Sequence, residues 1–331
     1  MHSQSKDFRF EYASLGFMFV SVVLLFGIVL GEMAGRIVDP AVNFARPAVP
    51  SPAAAPQVTA TGLAQPAALE VTVAGLQAAF QRVEYRLGGV RAGAAAVPRI
   101  LIDRVPADLA RLQSPGERKQ VFIKMMLPLV LKANERILAE RRRLLSLRAE
   151  RGQLSWYEQL WLDRLAERYG LESADINELL KRVDVIPPSL ALAQAAEESG
   201  WGTSRFVREG NALFGQRTFR TGGGLVPRAR DQGESHEVLI FGRLLDSVAA
   251  YMGNLNSHWA YTEFREARAR QREAGKTLDG HALAGALTHY SERGKAYIVT
   301  IRSIIESNGL DALDGAQLGE QELRLVGGPN I

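Results

Sequence analysis

Cysteine is absent from all 331 residues. That removes thiol nucleophiles, thiolate metal sites and disulfides together, and it suits an oxidising compartment, where a stray thiol is a liability. Histidine is scarce at five residues, with no metal-ligand spacing. His236 and Glu237 begin a zinc-protease string, but position 240 is Ile where the second ligand is needed. Gly275, Lys276 and Thr277 imitate the end of a phosphate loop, yet the required earlier glycine is Arg270. A charge excess of one sign is missing too: 40 basic against 36 acidic residues leave +4, too even a balance to point to nucleic acid. No metal and no cofactor is expected. Strand-like alternation is scarce and no internal repeat is visible.

What is present starts with one long apolar run. Residues 12–31 carry no charge and include Phe17, Val20, Leu24, Phe26 and Ile28, a length that spans a bilayer as a helix. A cleaved signal peptide is the rival reading; its apolar segment is normally shorter, and Glu32, Met33 and Ala34 fit a cleavage site poorly. The expectation is an anchor after a short tail at 1–11. Lys6 and Arg9 against Arg36 and Arg46 give almost no charge asymmetry from which to read its orientation. Residues 32–70 then hold prolines at 40, 47, 50, 52, 56 and 66 among alanines, the composition of a semi-extended tether rather than of a core.

From residue 71 the signals are helical. Ser114, Pro115 and Glu117 form a helix start, and the helix behind them is expected to bend at Pro128. Arg141, Arg142 and Arg143 read as a solvated face. Ser155 with Glu158 opens a second helix, whose Trp156, Leu160, Trp161, Leu165 and Tyr169 read as core. A short β-hairpin is expected where His236–Phe241 follows a turn-rich stretch. Residues 71–186 are a helical extension of undetermined packing, and 311–331 a flexible tail.

Pro187 and Pro188 precede an alanine-rich run ending at Glu197 and Glu198, and Ser199, Gly200, Trp201 and Gly202 stop the helix and turn the chain. Glu198 therefore sits on the last turn, at the negative end of the helix dipole and beside Trp201, both of which favour a protonated carboxyl. A carboxyl so tuned can serve as a general acid near neutral pH. A glutamate that merely ends a helix fits the spacing as well. Helix geometry places Glu198 on one face with Gln194 and Trp201, and turns Glu197 about 100° away toward solvent.

The strings AQAAEESGWGTSRF, GNALFGQRTF, SHEV and YMGNLN resemble the glucosaminidase family of bacterial cell-wall hydrolases, and within it the Bax-type members, from about Val185 to Ser307. The resemblance implies a mainly α, lysozyme-like glucosaminidase domain over 187–310, with Glu198 as the catalytic acid and Glu237 as a second carboxylate on a hairpin. It implies that Asn211, Leu213, Phe214 and Gly215 shape the cleft wall, and that Tyr290, or else Tyr297, orients the sugar. For Asn211, contact with sugar and simple turn chemistry both stand. Where the family has an asparagine pair, this chain has Asn211 and Ala212.

The implied activity is an endo-β-N-acetylglucosaminidase acting on peptidoglycan strands, with no cofactor, held at the inner membrane through residues 12–31 and facing the periplasm. A lytic transglycosylase on the same fold and a non-catalytic wall-binding envelope protein are the alternatives.

Overall fold

The computed structural model describes residues 71–150, 153–218, 222–227 and 235–323. The apolar run at 12–31 and the proline-rich stretch lie outside them, and among the described residues no helix is long and apolar enough to cross a membrane. The described residues open with α1 (Val73–Arg82), capped by the Thr72 hydroxyl, then α2 (Leu87–Arg91) and β1 (Val97–Ile100). The long helix α3 (Pro115–Ala149) begins where its sequence signal lies, with Ser114 Oγ accepting from the Glu117 amide. The Glu117 carboxylate does not turn back to the cap; it accepts from Gln77 on α1. The helix continues through Pro128.

In α4 (Trp156–Arg168) both halves of the Ser155–Glu158 capping box form. Its core face differs from the one read in the sequence. Trp156 is 64% exposed and Leu160 also faces outward, whereas Leu162, Leu165, Ala166 and Tyr169 are buried. At about 100° per residue these four make one stripe, and Trp156 and Leu160 lie on the opposite side of the helix.

After α5 (Ile176–Arg182) comes α6 (Pro188–Ser199), the helix that carries Glu198. Leu190, Ala191, Leu192, Ala193, Ala195 and Ala196 are all buried. A helix apolar all round must be enclosed, and its alanines let neighbours approach closely. The approach to α6 is pinned by charge: Arg268, fully buried, donates to the Asp184 and Val185 carbonyls and to Asn256 Oδ1, and Arg272 grips the Asp184 carboxylate with two nitrogens. Burial alone would raise the Asp184 pKa, but the surrounding guanidiniums of Arg272, Arg268 and Arg141 hold it below its ordinary value.

Downstream follow α7 (Arg205–Gly210), β2 (Arg217–Thr218), β3 (Gly224–Leu225), β4 (Glu237–Leu239), α8 (Leu244–Ser257), α9 (Thr262–Glu273), α10 (Gly280–Ala284) and α11 (Lys295–Ser307). The expected hairpin exists as β3 and β4, and β2 adds to it, giving a small antiparallel sheet in the order β2-β4-β3. One core joins the elements: α3 packs on both α6 and α8, and α11 and α10 pack on α6. Residues 71–186 are therefore an integral part of that core, not a separate body.

The tail is corrected as well. Leu310 and Leu313 are fully buried, a turn of 3-10 helix spans Asp311–Leu313, and β5 (Leu318–Leu323) pairs in parallel with β1. The sequence suggested a flexible tail, but the partner strand lies near the other end of the described residues, where no local pattern could announce it.

Candidate active site

The turn after α6 is built from left-handed backbone: Gly200, Trp201 and Gly202 have φ of 57, 57 and 78°. Glycine is the ordinary occupant of that region, and a bulky residue there is unusual. Gly202 is also tightly enclosed, since a Cβ would lie 3.0 Å from Leu109 Cδ2 and 3.1 Å from Phe122 Cδ2 and those side chains would have to give. Trp201 packs edge-on to Phe122 of α3 at 5.7 Å, with the Lys119 ammonium over its ring. Its position thus depends on the helix that precedes the family-like segment.

Glu198 stands on the last turn of α6. By area it is exposed, yet burial is the leading influence on its carboxyl and raises its pKa. The two agree for a side chain crowded by protein on most sides and open along one. The Tyr297 hydroxyl works against that rise, neighbouring Glu197 adds to it, and Arg293 opposes it. Glu197 does not face free solvent as expected: it is half-buried and ion-paired with Arg293 at 2.6 Å. The reason is α11 and the turn before it, which bring Tyr297 to Glu198 and Arg293 to Glu197.

Behind the carboxyl runs a directed hydrogen-bond chain. Tyr251 donates to Gln194 Oε1 at 2.6 Å, Gln194 Nε2 donates to the Tyr297 oxygen at 3.0 Å, and Tyr297 donates to Glu198 Oε1 at 2.9 Å. Gln194 is fully buried, so its amide orientation is set by Tyr251, and that orientation leaves the Tyr297 proton one acceptor. Burial and the nearby carboxyl keep the Tyr297 hydroxyl protonated. Because Oε1 accepts, the acidic proton of Glu198 belongs on Oε2.

Aromatic rings fix the chain in place. Phe214 stacks on Tyr251 at 3.9 Å, Tyr290 stacks on Tyr297 at 5.4 Å, and Tyr261 lies 6.0 Å from Tyr290. Of the two tyrosines singled out in the sequence, it is Tyr297 that touches the acid, with Tyr290 supporting it from behind. Asn211 is buried and left-handed, φ 53°, and its amide donates to the Phe241 and Gly242 carbonyls. It acts here as a clamp on the loop after β4. Glu237 is also buried, its two oxygens accepting from the Gly222 and Gly224 amides at 3.0 and 2.7 Å. Tyr251, Gln194 and Arg293 received no role from the sequence, although Gln194 and Tyr251 lie inside the strings AQAAEESGWG and YMGNLN that carry the resemblance.

Among the described residues no cluster of His, Asp or Glu could hold a metal ion. A mainly helical core that sets a carboxyl of raised pKa against a buried tyrosine relay fits a glycosidase-type domain. The glucosaminidase family, described as mannosyl-glycoprotein endo-beta-N-acetylglucosaminidase, matches residues 173–310. Protein bax of Escherichia coli (strain K12) is 37% identical over 196 residues, covering 57% of this chain and 69% of that protein. The chain belongs to the Bax-type glucosaminidase family. No solved structure matches it.

Proposed function

We propose that residues 187–310, with the earlier helices as scaffold, cleave the glycan strands of peptidoglycan next to N-acetylglucosamine, with Glu198 as general acid. The observation that carries this reading is the carboxyl of Glu198, raised in pKa by burial and hydrogen-bonded on Oε1 by Tyr297. The free oxygen, Oε2, delivers its proton to the glycosidic oxygen; the bond to the anomeric carbon breaks and positive charge develops there. Glu237 or the acetamide of the sugar stabilises that charge, and water completes hydrolysis. The apolar run at 12–31 anchors the chain in the inner membrane, and 32–70 holds the catalytic part out in the periplasm.

A second reading draws on Glu237. Its carboxylate holds two backbone amides of the hairpin, which favours chemistry that needs one glutamate only, as in a lytic transglycosylase closing an anhydro ring. Digestion of purified peptidoglycan with the full chain, followed by product mass and reducing-end analysis, separates them. N-acetylglucosamine reducing ends support hydrolysis at the proposed bond, and anhydro ends replace it with the second reading. No wall degradation by the parent chain would leave a binding module instead, and unchanged degradation by Glu198→Gln would remove Glu198 from the role of acid.

A further inference from the structure

The hydrogen-bond chain behind Glu198 admits two polarities. In the observed one each group donates toward the carboxyl: Tyr251 to Gln194 Oε1, Gln194 Nε2 to Tyr297, and Tyr297 to Glu198 Oε1. In the reverse one the Gln194 amide is turned over and every bond runs inward. A proton on Glu198 Oε1 then donates to Tyr297, Tyr297 to Gln194 Oε1, and Gln194 Nε2 to Tyr251. The same groups meet in both. Only the observed polarity leaves the acidic proton on Oε2, which no protein group engages among the described residues.

What separates the two is the far end of the chain. Tyr251 lies on α8 and is 1% exposed, its ring stacked on Phe214 at 3.9 Å and 5° and edge-on to Tyr290 at 6.4 Å. Burial keeps its hydroxyl protonated. Among the described residues Gln194 Oε1 is the one acceptor that this hydroxyl meets. The inward polarity would turn a second donor, Gln194 Nε2, toward it and strand its proton in the core, and a buried donor without an acceptor is costly.

We propose that Tyr251, three hydrogen bonds from the acid, is a positioning residue whose hydroxyl fixes the polarity of the relay and so keeps the proton of Glu198 on Oε2. That this proton goes to a glycosidic oxygen rests on the function proposed above; the polarity does not.

Tyr251→Phe tests it, because it keeps the ring and removes only the hydroxyl. Either polarity then leaves one Gln194 group unpaired, and the proton of the acid divides between Oε1 and Oε2. The added state belongs to the protonated acid alone, since an ionised Glu198 has no proton to send inward, so the pKa of Glu198 is expected to rise. That titration is read by carbon NMR on the full chain with labelled glutamate, the signal being assigned by its loss in Glu198→Gln. In glycan cleavage kcat is expected to fall about twofold if the two polarities are equally populated, and further if the inward one prevails, with KM unchanged. Both effects should vanish in a Tyr297→Phe background, where the link to the acid is cut. In the parent, the Gln194 side-chain amide protons should show nuclear Overhauser contacts to the Tyr297 ring and none to the Tyr251 ring, a measurement that needs no variant to fold. Contacts to the Tyr251 ring in the parent, an unmoved Glu198 titration in Tyr251→Phe, or a shift that survives in the Tyr297→Phe background would overturn the assignment. A titration that moves while cleavage does not would uphold the polarity and remove Glu198 from catalysis, so the two failures are distinct.

Discussion

Two carboxyls bracket α6, and they are treated in opposite ways. At the N-terminal end Asp314 accepts from Ser189 N, Ser189 Oγ and Gly280 N, all between 2.8 and 2.9 Å. α10 can approach this closely only because residue 280 is glycine: a Cβ there would lie 2.1 Å from Ser189 Oγ. At the C-terminal end, among the described residues, one donor reaches Glu198, the Tyr297 hydroxyl. Burial raises both pKa values, that of Asp314 to about 6. What separates them is donor count. A carboxylate ringed by three donors is tied to its neighbours and holds a helix in place. One with a single donor keeps an oxygen for a proton, which is what an acid catalyst requires.

The largest effect that would sharpen this contrast is on turnover. Glu198→Gln should lower glycan cleavage by 10²–10⁴-fold, the usual range for a general acid, measured as released reducing ends. It should not lower stability. Since the folded pKa of Glu198 lies above its unfolded value, its contribution to stability is full below about pH 4 and is lost as pH rises through the folded value. The variant should match or exceed the parent in Tm at pH 7, with the gap closing in acid.

Asp314→Ala should do the reverse. It strands three buried donors at about 1–3 kcal/mol each at most, and a net loss of about 3 kcal/mol at pH 4 is expected in denaturant unfolding. Because the Asp314 contribution declines as pH rises from about 3.9 through about 6, the deficit should be smaller at pH 8. A deficit that grew with pH would break the comparison. A smaller change is expected of Tyr297→Phe: cleavage about tenfold lower, and, since that hydroxyl opposes the raised pKa of Glu198, an alkaline limb of the pH–rate profile moved upward. Arg293→Gln should shift the same limb upward least, because Arg293 is the weakest influence on Glu198 and its Glu197 pair is partly exposed, and the effect should shrink with salt.

Local chemistry made much of this readable in the sequence. The Ser155–Glu158 box, the Pro188 start and the glycine turn at Gly200 each act within four residues, and each lies where it was read. Helix face also set Glu198 beside Gln194, and Tyr297 bonds both. What was not legible depends on contacts between distant segments. The outward turn of Trp156 follows from which side α3 occupies, the pairing of Glu197 depends on Arg293 arriving in the turn before α11, and the order at 311–323 depends on β1. Tyr297 was ranked behind Tyr290 because nothing short of packing distinguishes the tyrosine that touches the acid from the one stacked behind it.

The parallel pairing of β5 with β1 joins segments whose linked residues Arg99 and Gly319 are 220 positions apart, and Asp314 reaches back 125 positions to Ser189. Contacts of such separation form late, after the intervening chain has been made and ordered. During synthesis the acid-bearing helix leaves the ribosome long before the residue that fastens its other end. A chain released early at residue 310 would therefore carry Glu198, Tyr297 and the whole relay, and still lack the fastening that holds α6 in register. The first turn of α6 is thus set only once the segment that carries Asp314 is in place, because both bonds to Ser189 come from it.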